Sequence, residues 1–527
     1  MATLPDELCE VTAKHGSAPV AVIDIGTTSI RMAIAEIDPD GNVRTLDTLS
    51  QTVNLGKDTF TSGQIKKSTI EDCVRVLKVY RQKLEEYGID DPEHIRVIAT
   101  SAVREARNRL AFLDRVFIAT GIEVEPLDEA EVNGFTYLGI RPFLESEPSL
   151  LSSQTIVIEV GGGSTEILVV KRGDVVFAQT YRLGALRLKQ TLERYRAPES
   201  KQRGIMEGQI ERTIEEFRHD IIPAGQLEMI ALGGDIRFAT RQLIPDWDTS
   251  SLARIPVTAL EKLTDELLAL SVDEIVRRFH LSFADAETVG PALLAYVQLA
   301  QAVGLTNLVV TDTNLRDGLL QNFAAQHAWM DEFSKQVLRS TIDLGRKFDF
   351  DENHAKHVAM LAKSLFSQLQ EEHQLDAHFE LILHVAALLH EIGNYISMRS
   401  RHKHSMYLIQ NSELFGLGQR NLLLVALVAR YHRRASPQPR HDGYSRLSRE
   451  ERVTVSKLAA ILRIAVALDT SRSQRIHEVQ CSIEKGRLLI AIPNIEDLSL
   501  EQLEVTQNAS LVEEVFGLQV LLRTIQN

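Results

Sequence analysis

Two short segments of this chain carry the same chemistry-bearing pattern. Val22-Ile23-Asp24-Ile25-Gly26-Thr27-Thr28-Ser29 returns in altered form as Val157-Ile158-Glu159-Val160-Gly161-Gly162-Gly163-Ser164-Thr165. Each is an apolar run bearing one carboxylate, followed by a tight turn of small and hydroxyl residues. A second apolar run follows each turn, Met32-Ala33-Ile34-Ala35 in one and Ile167-Leu168-Val169-Val170 in the other. Glycine lets backbone N–H groups come close to an anion, and Ser/Thr hydroxyls add donors. A strand-end carboxylate can hold a divalent cation that neutralises phosphate charge. One such turn would pass for an ordinary β-hairpin. The matched pair points to a duplicated fold whose halves hold a phosphate chain between them.

The elements that must position these turns alternate between strand and helix patterns. Strand-like runs lie at 21–23, 31–37 and 96–99, and helical spacing of apolar residues marks 70–87 and 104–119. A polar stretch, Glu145-Ser146-Glu147-Pro148-Ser149, separates this part from the second repeat. There, strand patterns at 156–160, 166–170 and 175–181 precede helices, with short strands at 229–232 and 307–310. Such alternation implies mixed α/β domains. From 331 to about 469 the pattern turns almost wholly helical and histidine becomes dense. Residues 479–492 then read as a hairpin around Glu484-Lys485-Gly486-Arg487, and 498–506 and 509–516 as helices. The expected domains are 18–140, 141–325 (its last strand and helix, 307–325, returning to the first), 331–475 and 476–527.

The chain has 527 residues, 44% hydrophobic and 25% charged, a globular composition long enough for several domains. A formal net charge of −14 argues against general nucleic-acid binding, which needs a positive footprint. It leaves room for a polyanionic substrate, because a local basic cleft can focus attraction against the overall charge. Three cysteines, Cys9, Cys73 and Cys481, stand far apart in no metal-ligand spacing and read as free thiols of a reducing compartment. Residues 1–18 lack the apolar core of a signal peptide, and no run of about eighteen apolar residues suggests a membrane span. A cytoplasmic protein is expected.

Further segments give the chain a family resemblance. Asp24-Ile25-Gly26-Thr27-Thr28-Ser29, Ala99-Thr100-Ser101-Ala102-Val103-Arg104 and Gly161-Gly162-Gly163-Ser164-Thr165-Glu166 occur in that order. Arg182-Leu183-Gly184-Ala185, Ala231-Leu232-Gly233-Gly234, Leu315-Arg316-Asp317-Gly318, His402, His404-Ser405 and Arg430-Tyr431-His432-Arg433 follow. The ordered set resembles the long form of the Ppx/GppA family of exopolyphosphatases and guanosine pentaphosphate phosphohydrolases, over almost the whole chain. That resemblance implies two actin-like domains of ribonuclease-H type with the active site between them, followed by a helical domain and a small α+β segment. It places Gly26, Thr27, Thr28, Ser29, Gly161, Gly162, Gly163, Ser164 and Thr165 on substrate phosphates, with Arg104 adding a planar guanidinium suited to phosphate oxygens. Asp24, Glu159 and Glu166 stand where the family places its metal-associated acids, for Mg2+ or Mn2+. A homodimer, with a channel partly built from the helical domain, is also implied.

The catalytic base stands less simply. An acidic motif precedes a Leu-Gly-Val/Ile helix end in the family, matched here by Tyr137-Leu138-Gly139-Ile140. Ungapped counting puts Val132 where the base is expected, with Glu131 one residue away and Glu129 three. One residue on a helix turns a side chain by about 100°. The base falls to Glu131, with Glu166 as its catalytic partner. Thr27-Thr28 for Ser-Asn, Glu159 for aspartate and Asp235 for threonine mark a divergent branch. The expected activity is release of terminal orthophosphate from inorganic polyphosphate. Guanosine pentaphosphate as substrate, or a weakened polyphosphate or alarmone sensor, are the alternatives.

The helical part resembles an HD phosphohydrolase domain, which implies a ligand set of His354, His390, Glu391 in place of aspartate, and Asp469 displaced from the usual position held here by Val466. A tight metal site needs ligand count and geometry together, so a scaffold is the expectation. Arg399, Arg401, His402, Lys403, His404, Arg430, His432, Arg433 and Arg434 have a second reading as a cationic path for polyphosphate.

Overall fold

The computed structural model describes residues 19–218, 226–433, 435–495 and 497–525, without the side chains of 325–332. Residues 1–18, with Cys9, and Arg434 lie outside that set. Two compact units are formed, Met1–Asp331 and Glu332–Asn527.

The first unit is a duplicated α/β fold. Strands β1 (Pro19–Ile25), β2 (Ser29–Ile37), β3 (Val43–Thr52), β4 (Ile95–Ala99) and β5 (Glu125–Pro126) make one sheet in the order β3-β2-β1-β4-β5. A second sheet contains β6 (Gln154–Val160), β7 (Thr165–Lys171), β8 (Asp174–Tyr181), β9 (Leu227–Leu232), β10 (Ala253–Pro256) and β11 (Asn307–Val310). Its order is β10-β11-β9-β6-β7-β8. In each half the carboxylate-bearing strand pairs antiparallel with the strand after its glycine turn, β1 with β2 and β6 with β7. Each also pairs parallel with a later strand, β1 with β4 and β6 with β9.

The apolar runs of the motif explain why these strands are central. On β1, Ala21, Ile23 and Ile25 enter one core with Ile30, Met32 and Ile34, while Val20 and Val22 face the opposite layer with Ala33 and Ala35. A strand buried on both faces must be apolar at successive positions, and each fully buried Ile or Val contributes roughly 1.5–3 kcal/mol. The opposite layer is completed by Leu315, Leu319 and Leu320, so the start of the helix Leu315–Lys347 returns to the first sheet. The strand before it, β11, stays in the second. The helix crosses Glu129–Ser146 at Gly318, where a Cβ would collide with the Phe135 carbonyl oxygen. Glycine is required there because the two backbones nearly touch.

The single helix expected over 104–119 is divided. A short turn Ser101–Arg104 ends before a new helix Arg109–Thr120. Asn108 lies at the break, its amide clamped to both backbone groups of Ile65 at 2.9 and 2.8 Å. A distant strap thus decides the helix start.

In the second unit, helices and a sheet of β12 (Gln480–Glu484), β13 (Arg487–Pro493) and β14 (Gln519–Ile525) share one core. The hairpin expected around 484–487 forms with Lys485 and Gly486 at φ 51 and 76, the left-handed pair a two-residue turn needs. Among the described residues no helix is long and apolar enough to cross a membrane.

Candidate active site

The two turns are built alike. Gly26 N donates to Ser29 O at 2.9 Å, and Gly161 N donates to Ser164 O at 2.9 Å. Register then sets Asp24 beside Arg31 in the first half and Glu159 beside Glu166 in the second. All four line one cleft of about 480 Å³ with Gly26, Thr27, Thr28, Ser29, Arg104, Gly161, Gly162, Gly163 and Ser164. The turns approach each other so closely that a Cβ on Gly162 would stand 2.8 Å from the Thr27 methyl. One on Gly163 would stand 2.5 Å from Ser101 Oγ.

The cleft is rich in carboxylates that burial penalises. Asp24 is 8% exposed; burial pushes its carboxyl above the usual range against the attraction of Arg316, whose guanidinium lies 3.5 Å from Oδ2. Burial also raises Glu159, against the pull of Arg237. Glu166 is pushed up to about 7 by burial and by the neighbouring Glu159, although Ser164 Oγ donates to Oε1 at 2.6 Å. Asp235 likewise rises to about 7 through burial and the charge of Asp285.

A divalent cation fits this donor set. Asp24 Oδ1 is buried without a hydrogen-bond partner, and all the nearby ligand atoms are oxygens, the choice of Mg2+ and Mn2+. Among the described residues no three of these carboxylates bring ligand oxygens within 4.8 Å of one another. That suits an ion held by one or two carboxylates and completed by water and substrate phosphate.

Two expectations are corrected. Glu131 does not line the cleft: its Oε2 accepts from Asp128 N at 2.8 Å while Asp128 Oδ1 accepts from Glu131 N, a capping box that starts the helix Glu129–Ser146. The next position, Val132, is the one that faces the cleft, as the 100° helical step requires. Burial and Asp128 push Glu131 to about 7, yet a raised carboxyl outside the site has no substrate to serve. Glu129 also stays out, 3.6 Å from Arg104. Thr165 is fully buried with its hydroxyl donated to the Leu183 carbonyl, so it supports the turn and offers no donor to the cleft. Arg104 keeps its expected place, steadied by a 2.9 Å bond to the Leu127 carbonyl.

Sequence reasoning missed the other arginines. Arg31, Arg237, Arg241 and Arg316 all line the cleft. Arg31 had a readable signal, since it holds in the first hairpin the place Glu166 holds in the second. Arg316 sits in the Leu-Arg-Asp-Gly segment, where only the helix crossing at Gly318 reveals its direction.

In the second unit, His354, His390 and Glu391 come together, each offering a ligand atom within 4.8 Å of the others. Asp469 turns its carboxylate to histidines, 2.7 Å from His354 Nδ1 and 3.2 Å from His357 Nδ1. Of the supposed cationic path, His432 is buried and Arg401 is paired with Glu391 at 2.9 Å. Arg399, Lys403 and Arg433 are exposed.

Two facing halves, each offering a glycine turn and a strand-end acid to one cleft, define a duplicated α/β protein with its candidate site between the repeats. Residues 33–327 match the Ppx/GppA phosphatase family, and residues 338–513 match Ppx/GppA phosphatase, domain III. The chain belongs to the Ppx/GppA phosphatase family and is a hydrolase of phosphoanhydride bonds. It is 23% identical over 508 residues to a guanosine-5'-triphosphate,3'-diphosphate pyrophosphatase of Photobacterium profundum, covering 93% of this chain and 95% of that protein. A protein of the same name from Vibrio vulnificus is 24% identical, over 91% and 93% of the two chains. Among solved structures, an exopolyphosphatase from Cytophaga hutchinsonii shares the fold at TM-score 0.52 and 20% identity, covering 58% of this chain and 97% of its own.

Proposed function

We propose that the cleft removes the terminal orthophosphate of inorganic polyphosphate by attack of water. The observation that carries this reading is the pair of facing donor turns in a cleft that five arginines also line: Arg31, Arg104, Arg237, Arg241 and Arg316. A multiply charged linear anion is the ligand such a lining attracts. The turn N–H groups and Arg104 hold the terminal phosphoryl group and stabilise the charge that develops on it. Glu166, held near neutrality inside the cleft, takes a proton from the attacking water as its oxygen bonds to the terminal phosphorus. The bridging P–O bond breaks and the shortened chain departs on its own oxygen. Asp24 and Glu159 would hold a divalent cation, which when bound supplies charge neutralisation on the phosphate oxygens.

A second reading, guanosine pentaphosphate as substrate, has its own support. Phe238, Phe279, Leu281 and Val289 line part of the same cleft, an apolar surface a polyphosphate chain does not need and a purine can use. The names of the two full-length relatives point the same way.

The test is orthophosphate release from long-chain polyphosphate and from guanosine pentaphosphate in parallel, with Mg2+, for wild type, Glu166→Gln and Phe238→Ala. Loss with both substrates in Glu166→Gln, with binding retained, supports Glu166 as base. A KM raised about tenfold in Phe238→Ala for the nucleotide alone, the size of one lost stacking contact, promotes the second reading. Binding without release by the wild type would sink the hydrolytic assignment and leave a sensor.

A further inference from the structure

The glycine turn of the second half is tied down by a residue that does not line the cleft. Helix Ala185–Arg194 follows β8, and its first turn reaches back to the glycines. Ala185 N donates to Gly161 O at 2.9 Å, Arg187 N to Gly162 O at 3.1 Å, and Arg187 Nε to Gly163 O at 2.8 Å. Three successive carbonyls are thus occupied. In a trans peptide the C=O and the next residue's N–H point opposite ways. The N–H groups of Gly162, Gly163 and Ser164 therefore turn away from the helix, on the side where these residues line the cleft. Arg187 itself is absent from that lining.

The guanidinium that holds Gly163 is held in turn by the first half. Arg187 Nη2 donates to Glu105 Oε1 at 2.7 Å, and Arg187 Cζ stands 4.2 Å from the centroid of the Phe60 ring. Glu105 closes the short turn Ser101–Arg104, next to Arg104 of the cleft, and Phe60 lies in the helix Leu55–Ser62. The same ring packs on Gly163, where a Cβ would collide with it. The second oxygen of Glu105 accepts from Arg182. The helix alone gives no reason for an arginine here, since a cation in the first turn opposes the helix dipole. Its partners do, because a planar fork can bond a carbonyl and a carboxylate at once and stack on an aromatic face.

We propose that Arg187 is a positioning residue for the second glycine turn and that Glu105 makes its aim depend on contact between the two halves, a role that rests on the hydrolytic reading of the cleft. When the halves meet, the Glu105 carboxylate and the Phe60 ring fix the guanidinium, and the guanidinium fixes Gly163 O. The turn N–H groups then face the place where charge develops on the phosphoryl group. When the halves part, the guanidinium loses its first-half partners and Gly163 its fixed direction. The arginines of the lining bind the substrate either way, so the aim acts on turnover and not on affinity.

The experiment compares the full-length wild type with Arg187→Lys, Glu105→Gln and Arg182→Gln, by steady-state orthophosphate release and by amide hydrogen exchange without substrate. Arg187→Lys keeps the charge but lacks the fork that serves Glu105 and Gly163 together. It should lower kcat by about 10–100-fold with KM within about threefold, the pattern of an interaction made in the transition state. Glu105→Gln should lower kcat less, and the double variant no further than Arg187→Lys alone, because the two act as one unit. Arg182→Gln removes an exposed ion pair and should leave kcat within about twofold. Exchange at the Ala185 and Arg187 N–H groups should quicken about fivefold in Arg187→Lys, because the carbonyls they bond are no longer held. Unchanged kcat in Arg187→Lys, or KM raised as much as kcat falls, overturns the proposal. So does an equal loss in Arg182→Gln, or additive losses in the double variant. A wild type that binds substrate and releases nothing sinks the hydrolytic reading instead. Exchange at Ala185 and Arg187 then decides the clamp alone, and no quickening in Arg187→Lys overturns it. Should Arg187→Lys fail to fold by circular dichroism, Glu105→Gln carries the same tests.

Discussion

The arginine-lined cleft and the histidine cluster solve opposite problems with the same lever. In the cleft, burial makes carboxylates reluctant to ionise, with Glu166 and Asp235 at about 7. In the cluster, burial makes imidazoles reluctant to protonate, with His390 at about 4. One site therefore collects hard oxygens beside arginines. The other collects imidazoles kept neutral by burial. The scaffolds differ as well. The cleft hangs its groups on hairpin turns, where strand register fixes which residues face each other. The cluster hangs two of its rings on helix C-termini, where backbone carbonyls of the last turn hold Nδ1.

The largest expected effect tests the cleft's base. Glu166→Gln should lower orthophosphate release by ~10²–10⁴-fold, the usual worth of a positioned base, while Glu131→Gln stays within about threefold because glutamine still accepts from Asp128 N. Equal losses in both would return the base to the capping box. Next, Gly184→Ala should destabilise the first unit by about 1–3 kcal/mol in denaturant unfolding. Its Cβ would collide with the Gly162 carbonyl oxygen, and release should fall with it. An unchanged midpoint would mean the turn is less tightly held than its contacts indicate. Val132→Glu, which sets a carboxylate where Val132 faces the cleft, should raise turnover about tenfold in a steady-state assay. A drop would mean the site already has all the base it can use.

The smallest effect separates the two regions by pH in metal-free protein. Carboxyls whose folded pKa is raised bind protons that the unfolded chain releases. The first unit should therefore gain stability as pH falls from about 8 toward 5. Histidines whose folded pKa is lowered do the reverse. The second unit should lose stability as pH falls below about 6.5 toward 4. Glu391 at about 2 and Asp469, held low by His354 and His357 despite burial, deepen that loss as pH falls through about 4.5 and below. Calorimetry should show the two transitions moving in opposite directions by a few degrees, and added Mg2+ should raise the first more at pH 8 than at pH 6. Transitions that move together would break the contrast.

Much of the cleft was legible because its signal is local. An apolar run, a carboxylate and a glycine turn, written twice, dictate two hairpins, and register then delivers Asp24 and Glu159 to equivalent places. The placing of Glu131 in the cleft was misread for a physical reason. Glu131 has the right chemistry and position in the chain, but Asp128 three residues earlier makes a capping box with it. The face of the helix, set by that box and by the core, gives the cleft to Val132. The break at Asn108 and the direction of Arg316 were hidden because each depends on a distant partner, the Ile65 backbone in one case and the helix crossing at Gly318 in the other.

The sequence by itself determined the duplicated α/β fold, the two glycine turns, the acids at their strand ends and the family. These follow from periodicity and turn chemistry within a few residues. Only the tertiary structure decided that Glu166 and not Glu131 reaches the cleft, that four further arginines converge on it, and that Asp469 orients a histidine. It alone brings His432 against His390. A ring nitrogen's free lone pair depends on what the other nitrogen touches, and that partner is chosen by how helices end and pack, which no spacing along the chain records.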